Sequence, residues 1–192
     1  VYNVLASASI CIALGMDSNL IFKSLGYLKP ARGRMEVLTN TKNNALVIID
    51  YAHTPSALTF ALKSIEEIAG RERIITLFGC GGDRDKEKRK IMGEIANKYS
   101  DLVIVTDDNP RSEVPSNIRM DILNGCPNAK EIPNRNKAIK YAVSKLQKND
   151  LLLIAGKGHE TFQAVGIETL PFDDYTVAKE AIKNIEKFGV IN

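Results

Sequence analysis

Apolar and polar positions follow two different rhythms along this chain. Over residues 2–27 the apolar residues of YNVLASASICIALG and SNLIFKSLGY recur at helical spacing. Two short helices, 2–14 and 18–27, are predicted there, joined at residues 15–18. Asp17 or Ser18 is placed to cap the second, with Gly26 near its end. From residue 35 onward short unbroken apolar runs take over: MEVL, ALVIID, IITLFG, LVIVT and LLLIA. Strands are expected at 35–38, 45–50, 74–79, 102–106, 131–132 and 151–155. Helical patterns at 55–69, 86–98, 115–123 and 137–147 alternate with them, and a last one covers 175–188.

A strand that is apolar on both faces needs cover on both faces, so this alternation predicts an α/β chain with a mostly parallel sheet between helices. The segment LKPARGRMEVL, where Pro30 and Gly33 break the pattern, separates the two rhythms. The expected division is residues 1–29 and 30–192, because two short helices cannot bury both of their faces alone. The chain has no initiator Met and opens inside an apolar pattern, as a fragment or a trimmed chain would.

In parallel sheets ligands bind beyond the carboxyl ends of the strands. The unusual residues of this sequence fall there: DYAHTP at 50–55, GCGGDRD at 79–85, TDDNPR at 106–111 and GKGHE at 156–160. The four loops are expected to share one rim. Thr54 and Pro55 read as an ordinary helix start, which leaves Asp50 and His53 to explain. The glycines of GCGGDRD lack a following GK[ST], so they read as a tight turn rather than a nucleotide loop. Arg84 reaches over the rim, and Lys86, Lys88, Arg89 and Lys90 read as a solvated helix face. Pro110 fixes the turn around Asn109, and Ser112 is placed to cap the next helix.

Arg84 and Arg111 stand near the acids Asp108 and Glu160, with Asp85 as a third. A desolvated zwitterion needs a partner at each charged end, so this mixture suits an amino acid. Arg111 offers a planar fork to a carboxylate, Asp108 and Asn109 face an ammonium or amide, and Gly156 exposes backbone amides. Nucleic acid would favour cations alone. The 26 Lys and Arg are balanced by 23 acids, a net charge of +3, and no basic stripe is visible. No apolar run approaches the length of a membrane span. Cys11, Cys80 and Cys126 are odd in number and widely spaced, as free thiols of a reducing cytoplasm are.

GRMEVL, DYAHTP, FGCGGDRDKEKR, TDDNPRSE and AGKGHE, in this order and at these intervals, resemble the Mur ligases over almost the whole chain. The resemblance implies a cytoplasmic, monomeric, ATP-dependent ligase of peptidoglycan synthesis with no nucleic-acid or membrane partner. Residues 1–29 would be the last helices of a central ATPase domain, with the P-loop and the Mg2+ ligands upstream. Residues 30–192 would be a Rossmann-like C-terminal domain. Arg34, Asp50 and His53 would be the catalytic residues facing ATP. Arg84, Asp108, Asn109, Pro110, Arg111, Gly156 and Glu160 would form the amino-acid pocket. The resemblance implies ATP with Mg2+ and a UDP-N-acetylmuramoyl dipeptide as co-substrates. DNPR is the form found in members that take meso-diaminopimelate, and a second carboxylate at the far end of the substrate would need Arg111. The lead ARGRME departs from the proline- or cysteine-bearing form usual in the family, which concerns the linker and not Arg34. The residues alone leave open a noncatalytic α/β module that binds a nucleotide or a partner through the same rim.

Overall fold

The computed structural model describes residues 2–40, 43–69 and 72–188. By its internal contacts the chain falls into two compact units, residues 1–31 and 32–192.

The first unit is a helix pair, α1 (Tyr2–Ala13) and α2 (Ser18–Leu25). Asp17 caps α2, accepting the amide of Leu20 at 2.9 Å. Of this unit's described large apolar side chains only Ile21 is buried; Leu5, Ile10, Leu14, Phe22 and Leu28 are all more than half exposed. Val4, Ala8, Cys11, Leu20 and Leu25 line an apolar groove of about 450 Å³ between the helices.

The second unit carries a six-stranded sheet in the order β1-β2-β6-β3-β4-β5. Its strands are β1 (Glu36–Asn40), β2 (Ala45–Asp50), β3 (Ile74–Phe78), β4 (Leu102–Val105), β5 (Lys130–Glu131) and β6 (Leu151–Ala155). Only the β1–β2 pairing is antiparallel. Alternate side chains of β6 explain the two-sided cover. Leu151, Leu153 and Ala155 pack toward α3 (Pro55–Ala69), α4 (Glu87–Tyr99) and α5 (Pro115–Leu123). Leu152 and Ile154 pack toward α6 (Arg135–Ser144) and α7 (Asp174–Phe188). Strand order runs outward from β3 to β5 and then returns to place β6 on the other side of β3. This reversal opens a crevice at the carboxyl ends of β3 and β6.

The predicted elements are present with small shifts at their ends. Met35 stands outside β1 because it adopts φ +47 and spends its amide on Asp50. Asn134, accepting the amide of Lys137, starts α6 two residues earlier than expected. Ser112 does not cap α5: its hydroxyl donates to Asp83, and Val114 occupies the cap position. An antiparallel hairpin, β7 (Phe162–Val165) and β8 (Glu168–Pro171), was not expected. The thiols of Cys80 and Cys126 are buried, and that burial pushes them up to about 12 and about 11.

Candidate functional site

At the carboxyl edge of the sheet lies a cavity of about 410 Å³ that draws lining residues from all four polar loops. Thr54 accepts the amide of Ala57 at the start of α3, so the DYAHTP loop ends as an ordinary helix cap. Gly156 adopts φ +113, a conformation open to glycine, and a Cβ there would come within 2.9 Å of Asp108 Oδ2. Gly33 at φ +64 meets the GKGHE loop so closely that a Cβ would fall 2.1 Å from the Gly158 carbonyl carbon. The GRME and GKGHE segments are thereby fixed against each other.

Seven of the expected residues line the cavity: His53, Arg84, Asp108, Asn109, Arg111, Gly156 and Glu160. Arg34, Asp50 and Pro110 do not. Asp50 accepts the amides of Met35 and Ala52, at 2.9 and 2.8 Å, one on each oxygen. Its carboxylate therefore ties the strand end to the GRME loop. Pro110 is buried, and its carbonyl accepts the amide of Glu113. Arg34 lies exposed with its guanidinium carbon 4.6 Å from the centre of the Tyr51 ring, a cation–π contact. Tyr51 also stands 4.5 Å from the His53 ring and 5.0 Å from that of His159. His53 Nδ1 lies 2.8 Å from the Tyr51 carbonyl. A carbonyl only accepts, so Nδ1 carries the proton and Nε2 is left for a ligand.

Arg111, Asp108 and Glu160 share one arrangement: one atom is held by the protein and another is left over. Arg111 donates Nη1 to the Gly82 carbonyl at 2.8 Å and to that of Asn109 at 3.4 Å, while Nη2 has no protein partner among the described residues. Asp108 Oδ1 accepts the Asn109 amide, and Oδ2 has no partner among the described residues. Glu160 Oε2 accepts from Asn109 Nδ2 and Lys157 Nζ, at 2.9 and 3.0 Å, and Oε1 has no partner among the described residues. Three cations (Arg84, Lys88, Arg111) face three acids (Asp85, Asp108, Glu160). Such a site is preorganised for a ligand of both signs. Asn109 departs from expectation. It is 2% exposed, and its carbonyl is occupied by Lys157 and the Ala164 amide, so it organises the pocket more than it faces a ligand.

The helix face read as solvated is exposed at Lys86 and Lys90 but not at Arg89, and Lys88 is half-buried. Arg89 is 1% exposed and donates to Glu113 at 2.8 Å and Asp121 at 3.0 Å. Lys88 donates to the His53 carbonyl at 2.8 Å. Both positions turn inward because α4 packs along α3 and α5. Asp107 turns away from the cavity and pairs with Arg119; burial nonetheless pushes its carboxyl up, against the hydrogen bond and charge of that arginine. Glu113 latches the GCGGDRD and DNPR loops. The hydrogen bond from Arg89, then the amide of Asp83, hold its carboxyl down at about 2. A depressed carboxyl contributes stability that is present above its ordinary 4.5 and is lost as pH falls toward about 2. Glu113→Gln should therefore lower the melting temperature at pH 7, and the gap from the unaltered protein should close between pH 4.5 and about 2 in paired thermal melts.

Tyr51, Lys88, Lys157 and the β7–β8 hairpin were not singled out from the sequence as parts of the site. Among the described residues no group of three or more His, Cys, Asp or Glu gathers as a metal site would. Arg34, His53 and Lys88 are the groups here that could meet a phosphate. No described helix is long and apolar enough to cross a membrane.

The family described as Mur ligase, glutamate ligase domain, matches residues 33–158. The chain belongs to the Mur ligase family. A UDP-N-acetylmuramoyl-L-alanyl-D-glutamate--2,6-diaminopimelate ligase of Agrobacterium fabrum is 48% identical over 186 residues, covering 97% of this chain and 38% of its own length. A solved structure of a ligase of the same name aligns with a TM-score of 0.75 at 35% identity, over 96% of this chain and 38% of the other. A UDP-N-acetylmuramate-alanine ligase of Thermotoga maritima shares the fold at 19% identity, with a TM-score of 0.67, over 96% of this chain and 37% of its own. The chain thus spans less than two-fifths of the length of each of these three ligases. The alternation of apolar strands and helices and the mostly parallel sheet are those of this family's fold.

Proposed function

We propose that this chain is the C-terminal portion of a Mur ligase that joins meso-diaminopimelate to a UDP-N-acetylmuramoyl dipeptide, and that the cavity holds the incoming amino acid. Residues 1–29 are then the closing helices of the ATPase domain, which accords with their uncovered apolar face. ATP, with Mg2+ held mainly outside the described residues, supplies a phosphoryl group to the dipeptide's terminal carboxylate, creating a leaving group that the amine of diaminopimelate displaces.

The observation that carries the reading is the half-held trio of Arg111, Asp108 and Glu160 around one cavity. Diaminopimelate has an amino-acid group at each end. A carboxylate stabilises an ammonium and keeps it protonated, so the end held by Asp108 and Glu160 is not the nucleophile. Arg111 takes the carboxylate of that same distal end, and the other amine is left free to attack. Lysine has the distal ammonium without the carboxylate and would leave Arg111 unanswered. Beside Tyr51, Arg34 and His53 would meet a phosphate, while Asp50 shapes the loop that carries them.

Isothermal titration of the protein with meso-diaminopimelate, lysine and Mg-ATP tests this. Diaminopimelate should bind well ahead of lysine. Lysine binding as tightly as diaminopimelate overturns the assignment.

A further inference from the structure

The GKGHE segment contains a charged side chain to which the chemistry above gives no task. Lys157 is fully buried just past the end of β6. A buried ammonium is costly unless its protons find partners. Nζ donates to Asn109 Oδ1 at 2.9 Å and to Glu160 Oε2 at 3.0 Å, and it lies 5.7 Å from the centre of the Phe162 ring. Asn109 and Glu160 line the cavity; Lys157 does not. Its charge reaches a ligand only through those two side chains.

Each contact fixes one half of the pocket. On the acidic side, Lys157 and Asn109 together saturate Glu160 Oε2 and so orient Oε1 for a ligand. On the arginine side, Asn109 Oδ1 also accepts the Ala164 amide at 2.9 Å. The Ala164 carbonyl accepts the Arg111 amide at 3.2 Å, and the Arg111 carbonyl accepts the Gly166 amide at 2.7 Å. This short ladder on β7 holds Arg111 at φ +52, a backbone conformation that arginine rarely adopts unsupported.

We infer that Lys157 is a positioning residue for amino-acid recognition: its buried ammonium fixes Glu160 directly, and Arg111 through Asn109 and β7, at the separation the ligand requires. The inference rests on the reading of the cavity as a site for a two-headed amino acid. Without the ammonium the Glu160 carboxylate is free to turn about its remaining bond, and the Asn109 carbonyl loses its charged donor. A side chain needed only for folding would move stability and every kinetic constant together, whereas a positioning residue moves the amino-acid constant alone.

The test is steady-state kinetics of the intact ligase carrying Lys157→Met, which keeps most of the apolar stem, and Lys157→Gln, whose amide still serves one acceptor. In both, the KM for diaminopimelate should rise about tenfold or more while the KM for ATP stays within about twofold and kcat changes less. Should the methionine variant fail to fold, the glutamine variant carries the measurement. An unaltered KM for diaminopimelate in a folded variant overturns the inference, as does a parallel rise in the KM of every substrate. If the unaltered enzyme does not turn over diaminopimelate, the proposed function falls and the inference with it. Turnover by the unaltered enzyme that both variants match sinks the inference alone.

Discussion

Arg111→Ala should weaken meso-diaminopimelate binding by about 2–3 kcal/mol, roughly 30- to 150-fold in Kd, and leave lysine binding unchanged or slightly improved. The magnitude follows from the half-buried setting. The guanidinium is anchored through Nη1 to the Gly82 carbonyl, so it loses little freedom on binding, and its free arm faces a cavity shared with Asp108 and Glu160. Removing it leaves the substrate's distal carboxylate next to those two acids, so the loss combines a missing charge-assisted bond with a repulsion newly exposed. Lysine brings no distal carboxylate and feels neither effect. Arg111→Lys should recover only part of the loss, because one ammonium cannot hold Gly82 and a carboxylate with the geometry of a planar fork. Calorimetry of the three proteins with both amino acids decides it. A parallel drop for lysine and diaminopimelate would mean that Arg111 shapes the turn without reading the substrate.

The parts of the fold and site that could be read from sequence are those in which local pattern and function coincide. LLLIA is apolar at every position because β6 is central and covered on both faces. Loops after such strands must lie at one edge, so the strand pattern alone brings Asp108, Arg111 and Glu160 together. The hairpin was missed because FQAVGIETLP is exposed on most of its positions, and its strands lack the continuous apolar run that marked the others. Its only local signal is Gly166, at φ +58 between two short alternating stretches. Arg89 was misjudged, and Lys157 passed over, for a different reason. Charge in a sequence reads as solvent exposure, and their partners (Glu113, Asp121, Asn109, Glu160) are brought to them only by the packing of loops distant along the chain. Asp50 was identified as important, and its task is a backbone clamp visible only once Met35 and Ala52 are seen to share its two oxygens.

Asp174→Ala should cost about 3–5 kcal/mol of stability. Asp174 and Arg135 are both wholly buried, and they meet through two hydrogen bonds of 2.8 Å from Nε and Nη2. Nη2 also donates to the carbonyl of Ala155 at 2.9 Å, while Nη1 has no partner among the described residues. This arginine already sits at the limit of what its surroundings satisfy, so losing the carboxylate leaves a desolvated charge with one carbonyl for company. The pair links the first residues of α6 and α7 to the last residue of β6. Ala155 directly precedes Gly156, so the variant should loosen the GKGHE loop and weaken amino-acid binding as well as stability. Urea unfolding of Asp174→Ala, set beside Arg135→Leu/Asp174→Leu, separates the causes. If the cost comes from the stranded guanidinium, the apolar double variant recovers more than half of it, because removing both charges also removes their desolvation. A midpoint for Asp174→Ala equal to that of the unaltered protein would mean that water reaches Arg135 in solution. The clamp at the end of β6 would then be no stronger than a surface ion pair.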